Sequence, residues 1–216
     1  MIVIQGNGVS KGVLKGTIYF YHRTEKHIEK VSADLETEKA RFAEAQQKSI
    51  EQLNALAENC RKEAGDETAI LFETHAMFVE DEDYVGAIMD TMESEHCSAE
   101  YAVMTAGAQF AEMFAAMDDA YMQARAADIK DVTQRLLNNL MGIVEGGIDS
   151  EEPVILAADD LAPSETLQMD KSKILGFVTQ GGSSNSHTAI LARTMGIPAI
   201  CGIGEALKSE DEGRMA

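Results

Sequence analysis

Ile174-Leu-Gly-Phe-Val-Thr179-Gln-Gly181-Gly-Ser-Ser-Asn-Ser-His187-Thr-Ala-Ile-Leu-Ala-Arg193-Thr-Met195 begins as an apolar strand, turns on a glycine pair and continues with helical character. Ile174 to Thr179 reads as a buried strand, Ser186 to Met195 as a helix, and Pro198-Ala-Ile-Cys201 as a further strand. Upstream, Pro153-Val-Ile-Leu-Ala157 reads as another buried strand, set off by a short helical or turn segment. Strand–helix–strand alternation of this kind predicts an α/β unit.

The turn inside that unit carries the chemistry. Gly181 and Gly182 let the backbone approach a ligand closely, and a helix start offers unpaired N–H groups at the positive end of its dipole. Ser183, Ser184, Ser186 and Thr188 add hydroxyl donors. The pattern predicts a phosphate cradle. His187 stands in it as the candidate nucleophile, because an imidazole of ordinary pKa ~6.5 is substantially neutral near pH 7. The alternative is a histidine that only caps or packs a helix start, and the glycine pair with its hydroxyls weighs against it. Arg193, nearly two turns on, is placed to pair with an acidic neighbour or to reach back to a phosphate.

Outward from this unit the pattern changes. Between Lys26 and Asn139 the only glycines are Gly65, Gly86 and Gly107, and proline is absent. Ser32 is a plausible N-cap, with Asp34 and Glu36 in the first turn, and Leu35, Phe42, Ala45, Leu53 and Leu56 recur at helical spacing. Gly65 breaks this helix. Further helices are predicted over Glu67–Val79, from the acidic cluster at Glu80–Asp83 to about Glu95, from a Ser98 cap to about Met117, and over Asp119–Arg125 and Ala126–Leu140. At the amino end, Ile2–Ile4 and Thr17–Tyr21 read as two strands joined by glycine-bearing turns. The economical assembly is an α/β unit built from residues 1–21 and 146–216, interrupted by a helical bundle over 22–145. At the carboxy end, Lys208 to Arg214 is a charged turn that should lead into another strand, yet the chain stops two residues later, which suggests a truncated α/β domain.

Composition narrows the function classes. The 216 residues include 18 Lys+Arg against 37 Asp+Glu, a formal net charge of −19. That disfavours nucleic acid, whose binders need a basic face, and disfavours anionic membrane surfaces. No apolar run approaches the ~20 residues of a membrane span, and the amino end lacks a signal-peptide pattern, so a cytoplasmic protein is expected. Cys60, Cys97 and Cys201 are far apart and read as reduced thiols. Gly6 to Gly12 has the wrong last spacing for a dinucleotide loop, and no EF-hand or HExxH pattern marks a metal. From Glu63 to Ala124 there is no Lys or Arg, while fifteen acidic residues and seven of the twelve methionines occur. Most such residues serve as core or solvated face, but carboxylates with soft apolar groups also suit a basic protein partner.

Ser186-His-Thr-Ala-Ile-Leu-Ala-Arg193 resembles the phosphohistidine signature of enzyme I of the bacterial sugar phosphotransferase system, also called phosphoenolpyruvate-protein phosphotransferase. Gly8-Val-Ser-Lys-Gly-Val13, His75-Ala-Met-Phe-Val-Glu-Asp-Glu82, Arg125-Ala-Ala-Asp-Ile-Lys-Asp-Val132 and Ala158-Asp-Asp-Leu-Ala-Pro-Ser-Glu-Thr166 extend the resemblance over essentially the whole chain. It implies an α/β phosphohistidine (swivelling) domain interrupted by an all-α bundle that binds the carrier protein HPr. His187 would take the phosphoryl group that originates on phosphoenolpyruvate and pass it to HPr, the first step of sugar uptake. Gly181, Gly182, Ser186, Thr188, Thr166 and Arg193 would support it, Thr166 by hydrogen-bonding the resting histidine. Asp66, Glu67, Met77, Phe78, Asp81, Asp83 and Arg125 fall where the family contacts HPr, with His75 in the same turn. Phosphoenolpyruvate and Mg²⁺ would belong to a carboxy-terminal barrel that also dimerises, leaving this chain an amino-terminal fragment, monomeric and without a metal of its own. Many enzyme I sequences place an arginine and a threonine after the glycine pair; here Ser183-Ser-Asn185 stands between the glycines and Ser186. Two other readings are a swivelling domain of a pyruvate phosphate dikinase or phosphoenolpyruvate synthase, and a non-catalytic helical interaction module.

Overall fold

In a computed structural model of the chain, residues 3–21, 26–144, 148, 150–162, 165–166, 169–182 and 187–216 are described. They fall into two compact units, one of residues Met1–Thr24 with Glu145–Ala216 and one of Glu25–Val144.

The second unit is helical, and its helix starts are set by short polar side chains. Helix α1 (Leu35–Ala64) begins where the Asp34 carboxylate accepts the Thr37 amide at 3.0 Å, and it ends at Gly65, whose φ of 90° disfavours a side chain. Helix α2 (Asp66–Glu80) runs to Asp81, whose carboxylate caps α3 (Glu82–Glu95) through the amides of Asp83 and Tyr84. Ser98 caps α4 (Ala99–Ala115), and Asp119 caps α5 (Ala120–Met141). Each acceptor satisfies one of the amides a helix start leaves without an intrahelical partner. Phe42 and Leu53 from α1, Phe72 and Val79 from α2, Tyr84 and Ile88 from α3, Val103 from α4, and Ile129 and Leu136 from α5 meet in the core. A Cβ on Gly107 of α4 would collide with the Thr133 side chain of α5, so that glycine lets the two helices close up.

The first unit is a five-stranded sheet of order β1-β5-β4-β3-β2, with β1 Asn7–Ser10, β2 Thr17–Phe20, β3 Val154–Ala158, β4 Ile174–Thr179 and β5 Ala199–Cys201. The β2–β3, β3–β4 and β4–β5 pairs are parallel, and β1 runs antiparallel to β5. Every residue of β3 is buried, as a central strand with apolar contacts on both sides requires. Helix α6 (His187–Met195) connects β4 to β5, and its Ala189 and Ala192 share a core with Leu156, Phe177 and Cys201. The charged turn at the carboxy end does lead into extended chain: residues 214–216 run antiparallel along β2, with Gly16 and Ala216 exchanging amide bonds at 2.9 Å.

Three local expectations are corrected. The first strand is Asn7–Ser10 rather than Ile2–Ile4, because pairing with β5 buries Val9 whereas Val3 stays 74% exposed; Ile2 lies outside the described residues. Asp34, not Ser32, caps α1, since the carboxylate reaches the third helical amide while Ser32 bridges to Cys97. The segments Asp119–Arg125 and Ala126–Leu140 are one continuous helix.

Candidate functional site

Loops that leave the carboxyl ends of the parallel strands converge on the glycine turn, the usual ligand position in open α/β sheets. Gln180 and Gly181 donate their amides to Ala158 and Asp159 at 3.0 and 2.8 Å, while Gly202 and Gly204 donate to Gly181 and Gln180 at 3.0 Å each. The turn is thus clamped by backbone from both sides. Gly182 has φ +88°, a region L-residues rarely enter. Ser183, Ser184 and Ser186 lie outside the described residues. His187 opens α6, so its backbone stands at the end of the helix where amides lack intrahelical partners; its side chain is likewise outside what is described.

Thr188 is buried, and its hydroxyl donates to the Leu161 carbonyl at 2.9 Å, with Asp160 Oδ1 at 3.5 Å. It therefore ties the start of α6 to the loop after β3 instead of facing outward as a phosphate donor. That loop is internally braced: Asp160 accepts the Leu161 amide at 2.9 Å and the buried Glu165 accepts the Ala162 amide at 2.7 Å. Thr166 is fully buried and its hydroxyl donates to Ala162 at 3.1 Å. Arg193 points its guanidinium at the Val9 carbonyl, 3.4 Å away on β1. Thr188, Thr166 and Arg193 are all fastened to backbone carbonyls, which suits support of the turn more than contact with a ligand.

The residues singled out in the helical unit divide by exposure. Met77 is 70% exposed, and Asp66, Asp81 and Asp83 are exposed, Asp66 paired with Arg61 at 3.0 Å. Phe78 is half-buried with its ring edge against Phe114 at 6.1 Å. Among the seven methionines of the acidic stretch, Met77, Met113 and Met122 are exposed and Met92 is fully buried. Arg125 is half-buried, bonded to Asp128 at 2.9 Å and to the Tyr121 hydroxyl, and stacked 4.6 Å from the Tyr121 ring. The Glu67 side chain is outside the described residues.

His75 is the correction. It has no exposed surface, so it cannot touch a partner directly. Its Nε2 lies 3.3 Å from Asp128 Oδ1 and its Nδ1 3.4 Å from Asp131 Oδ2, both carboxylates being buried. Burial by itself would lower the ring's pKa, but the two carboxylates outweigh it and raise it to about 9. Sequence reading missed Asp128, Asp131 and Tyr121; the i, i+3 spacing of Arg125, Asp128 and Asp131 was the available signal, since it puts all three along one helical stripe.

Among the described residues no cluster of three or more His, Cys, Asp or Glu side chains could hold a metal ion, and no helix is long and apolar enough to cross a membrane.

Comparison with known proteins places the architecture. Residues 5–125 match the family of PEP-utilising enzymes, N-terminal, and residues 150–216 match the PEP-utilising enzyme, mobile domain. The NMR solution structure of Enzyme I superposes with a TM-score of 0.76 at 32% identity, covering 99% of this chain and 88% of that one. The chain belongs to the enzyme I family of PEP-utilising enzymes. A second solved family structure, the N-terminal domain of Enzyme 1 - Nitrogen, gives a TM-score of 0.72 at 25% identity, with 99% and 88% covered. Curated family relatives include the phosphoenolpyruvate-protein phosphotransferases of Priestia megaterium (38% identical, 97% of this chain and 37% of the relative) and Bacillus subtilis (34% identical, 97% and 37%). That of Haemophilus influenzae is 39% identical over 86% of this chain and 32% of its own length. The chain therefore spans about a third of these relatives. A helical bundle with a small mixed sheet is the arrangement it shares with the enzyme I structures.

Proposed function

We propose that this chain carries a phosphoryl group on His187 and exchanges it with the carrier protein HPr, docked on the acidic and methionine-bearing face of the helical unit. The observation that carries the reading is the position of His187 as first residue of α6, five residues after Gly182 of a glycine turn clamped by Asp159 and Gly202. In the transfer, the bond between phosphorus and the carrier's histidine nitrogen breaks as a new nitrogen–phosphorus bond forms on His187; the leaving imidazole takes up a proton, and the attacking ring, made cationic by the new bond, gives one up. Amides at the start of α6 and the hydroxyls of Ser183, Ser184 and Ser186 offset charge on the equatorial oxygens, so catalysis is positioning and electrostatics. Thr188, Thr166 and Arg193 hold the loop in place. The first unit is then a swivelling phosphohistidine domain serving sugar uptake. Phosphoenolpyruvate and Mg²⁺ binding belong to the part of the relatives that this chain does not match.

Mixing the chain with phospho-HPr and measuring intact mass, followed by mapping of the modified residue, tests this. A single phosphoryl group on His187, absent in H187A, is expected. Modification elsewhere, or none, overturns it. Phosphoenolpyruvate alone should label the chain far more slowly than phospho-HPr does.

A further inference from the structure

Four side chains of the helical unit form a chain of charge from core to surface. On α5, Tyr121, Arg125, Asp128 and Asp131 follow at i, i+4, i+7 and i+10 and share one stripe. His75 of α2 inserts between the two carboxylates with no exposed surface, and the Phe72 ring meets it edge-on at 6.0 Å. Asp128 divides its oxygens: Oδ1 faces His75 Nε2 at 3.3 Å, and Oδ2 accepts from Arg125 at 2.9 Å. The Asp128 and Asp131 side chains are only 4% and 6% exposed, against 20% for Arg125. Each ring nitrogen of His75 faces a carboxylate oxygen, so only the doubly protonated ring presents an N–H to both, consistent with its raised pKa. Of the ionisable groups on the helices packed around α2, Arg61 of α1 bonds Glu73 and Asp66, Arg135 of α5 bonds Gln52, and the Tyr84 hydroxyl of α3 meets Thr133.

We propose that His75 is a positioning residue: as a buried imidazolium it holds Asp128 between itself and Arg125, and so fixes the Arg125 guanidinium over Tyr121 on the carrier-facing surface. Arg125 follows a stretch from Glu63 to Ala124 that has fifteen carboxylates and no other Lys or Arg. Unrestrained, its long side chain would be drawn to any of them. Held by Asp128, it offers a fixed, half-exposed cation to an anionic group on the partner, while the surrounding carboxylates attract the partner's basic groups. The carrier role rests on the reading above; the coupling of His75 to Arg125 does not.

The test joins spectroscopy with binding. At pH 7, ¹⁵N spectra of the chain should show both His75 ring nitrogens protonated. On raising the pH, the Arg125 guanidinium N–H signals should broaden with the same midpoint at which the ring deprotonates. H75Q should release those signals and weaken HPr binding on the order of tenfold, R125A should match it, and the double variant should lose no more than either. Arg125 signals that persist through the His75 titration overturn the proposal, as do unchanged signals and affinity in H75Q. Should H75Q not fold, the wild-type titration decides alone. If wild-type chain does not bind HPr, the carrier reading falls, while the His75–Arg125 coupling is still judged by the spectra.

Discussion

The helical unit and the sheet unit use their polar groups in opposite ways. In the helical unit, side chains close the backbone: Asp34, Asp81, Ser98 and Asp119 each cap a helix that begins within three residues of them. Those caps are local in sequence, and function is read from which face is left exposed. In the sheet unit, β2 and β3 are hydrogen-bonded neighbours although more than a hundred residues separate them, and backbone clamps backbone around Gly181. Its candidate site is a shape of main chain, and the polar side chains nearby serve as fasteners.

The largest expected effect separates the two units. H187A should abolish phosphoryl acceptance from phospho-HPr while leaving HPr titration shifts in the helical unit intact; loss of both would merge functions that the comparison keeps apart. Next in size, L53A empties a fully buried position of the helical core and should cost about 2–5 kcal/mol in a urea unfolding experiment. Stability should also depend on pH through His75. Its folded pKa of about 9 lies above the ordinary 6.5, so the native state binds the proton more tightly. The stabilisation is complete below pH 6.5, declines as pH rises, and is gone above about 9, a change on the order of 3 kcal/mol. Urea midpoints at pH 6, 7.5 and 9.5 check the slope, and D131N should flatten it. T188V removes the donor to Leu161 and should cost about 1–3 kcal/mol, with phosphoryl acceptance falling because α6 loses its tie to the neighbouring loop. Smallest is D119A, which removes the α5 cap for about 1 kcal/mol and should leave phosphoryl transfer unchanged. A D119A effect on transfer as large as that of T188V would erase the contrast between caps and fasteners.

Much of the helical unit was legible because its signals are short-range. Gly65, Ser98 and Asp81 mark breaks and caps within a few residues of the backbone groups they satisfy. The Ser32 expectation failed on the same principle: Asp34 is closer to the amide that needs an acceptor. The stretch Ile2–Ile4 misled because an apolar run signals a strand only if another strand is there to pair with, and β5 pairs with Asn7–Ser10. His75 misled for a different reason. A histidine in a turn flanked by the exposed Met77 and the half-buried Phe78 reads as surface, yet one helical step rotates a side chain by ~100°, enough to carry it from face to core.

The sequence alone determined a helical unit broken at Gly65, turned near Asp81 and restarted at Ser98, that Ile174–Thr179 is a strand followed by a glycine turn and a helix with His187 at its start, and that the chain resembles enzyme I. Those features depend on periodicity, caps and glycine, all of which act over a few residues. Only the tertiary structure decided the strand order, the use of Thr188 as a tie to Leu161, and the burial of His75 between two carboxylates. These depend on which distant segments share a face, and the free energy that selects them comes from packing and desolvation across long sequence separations.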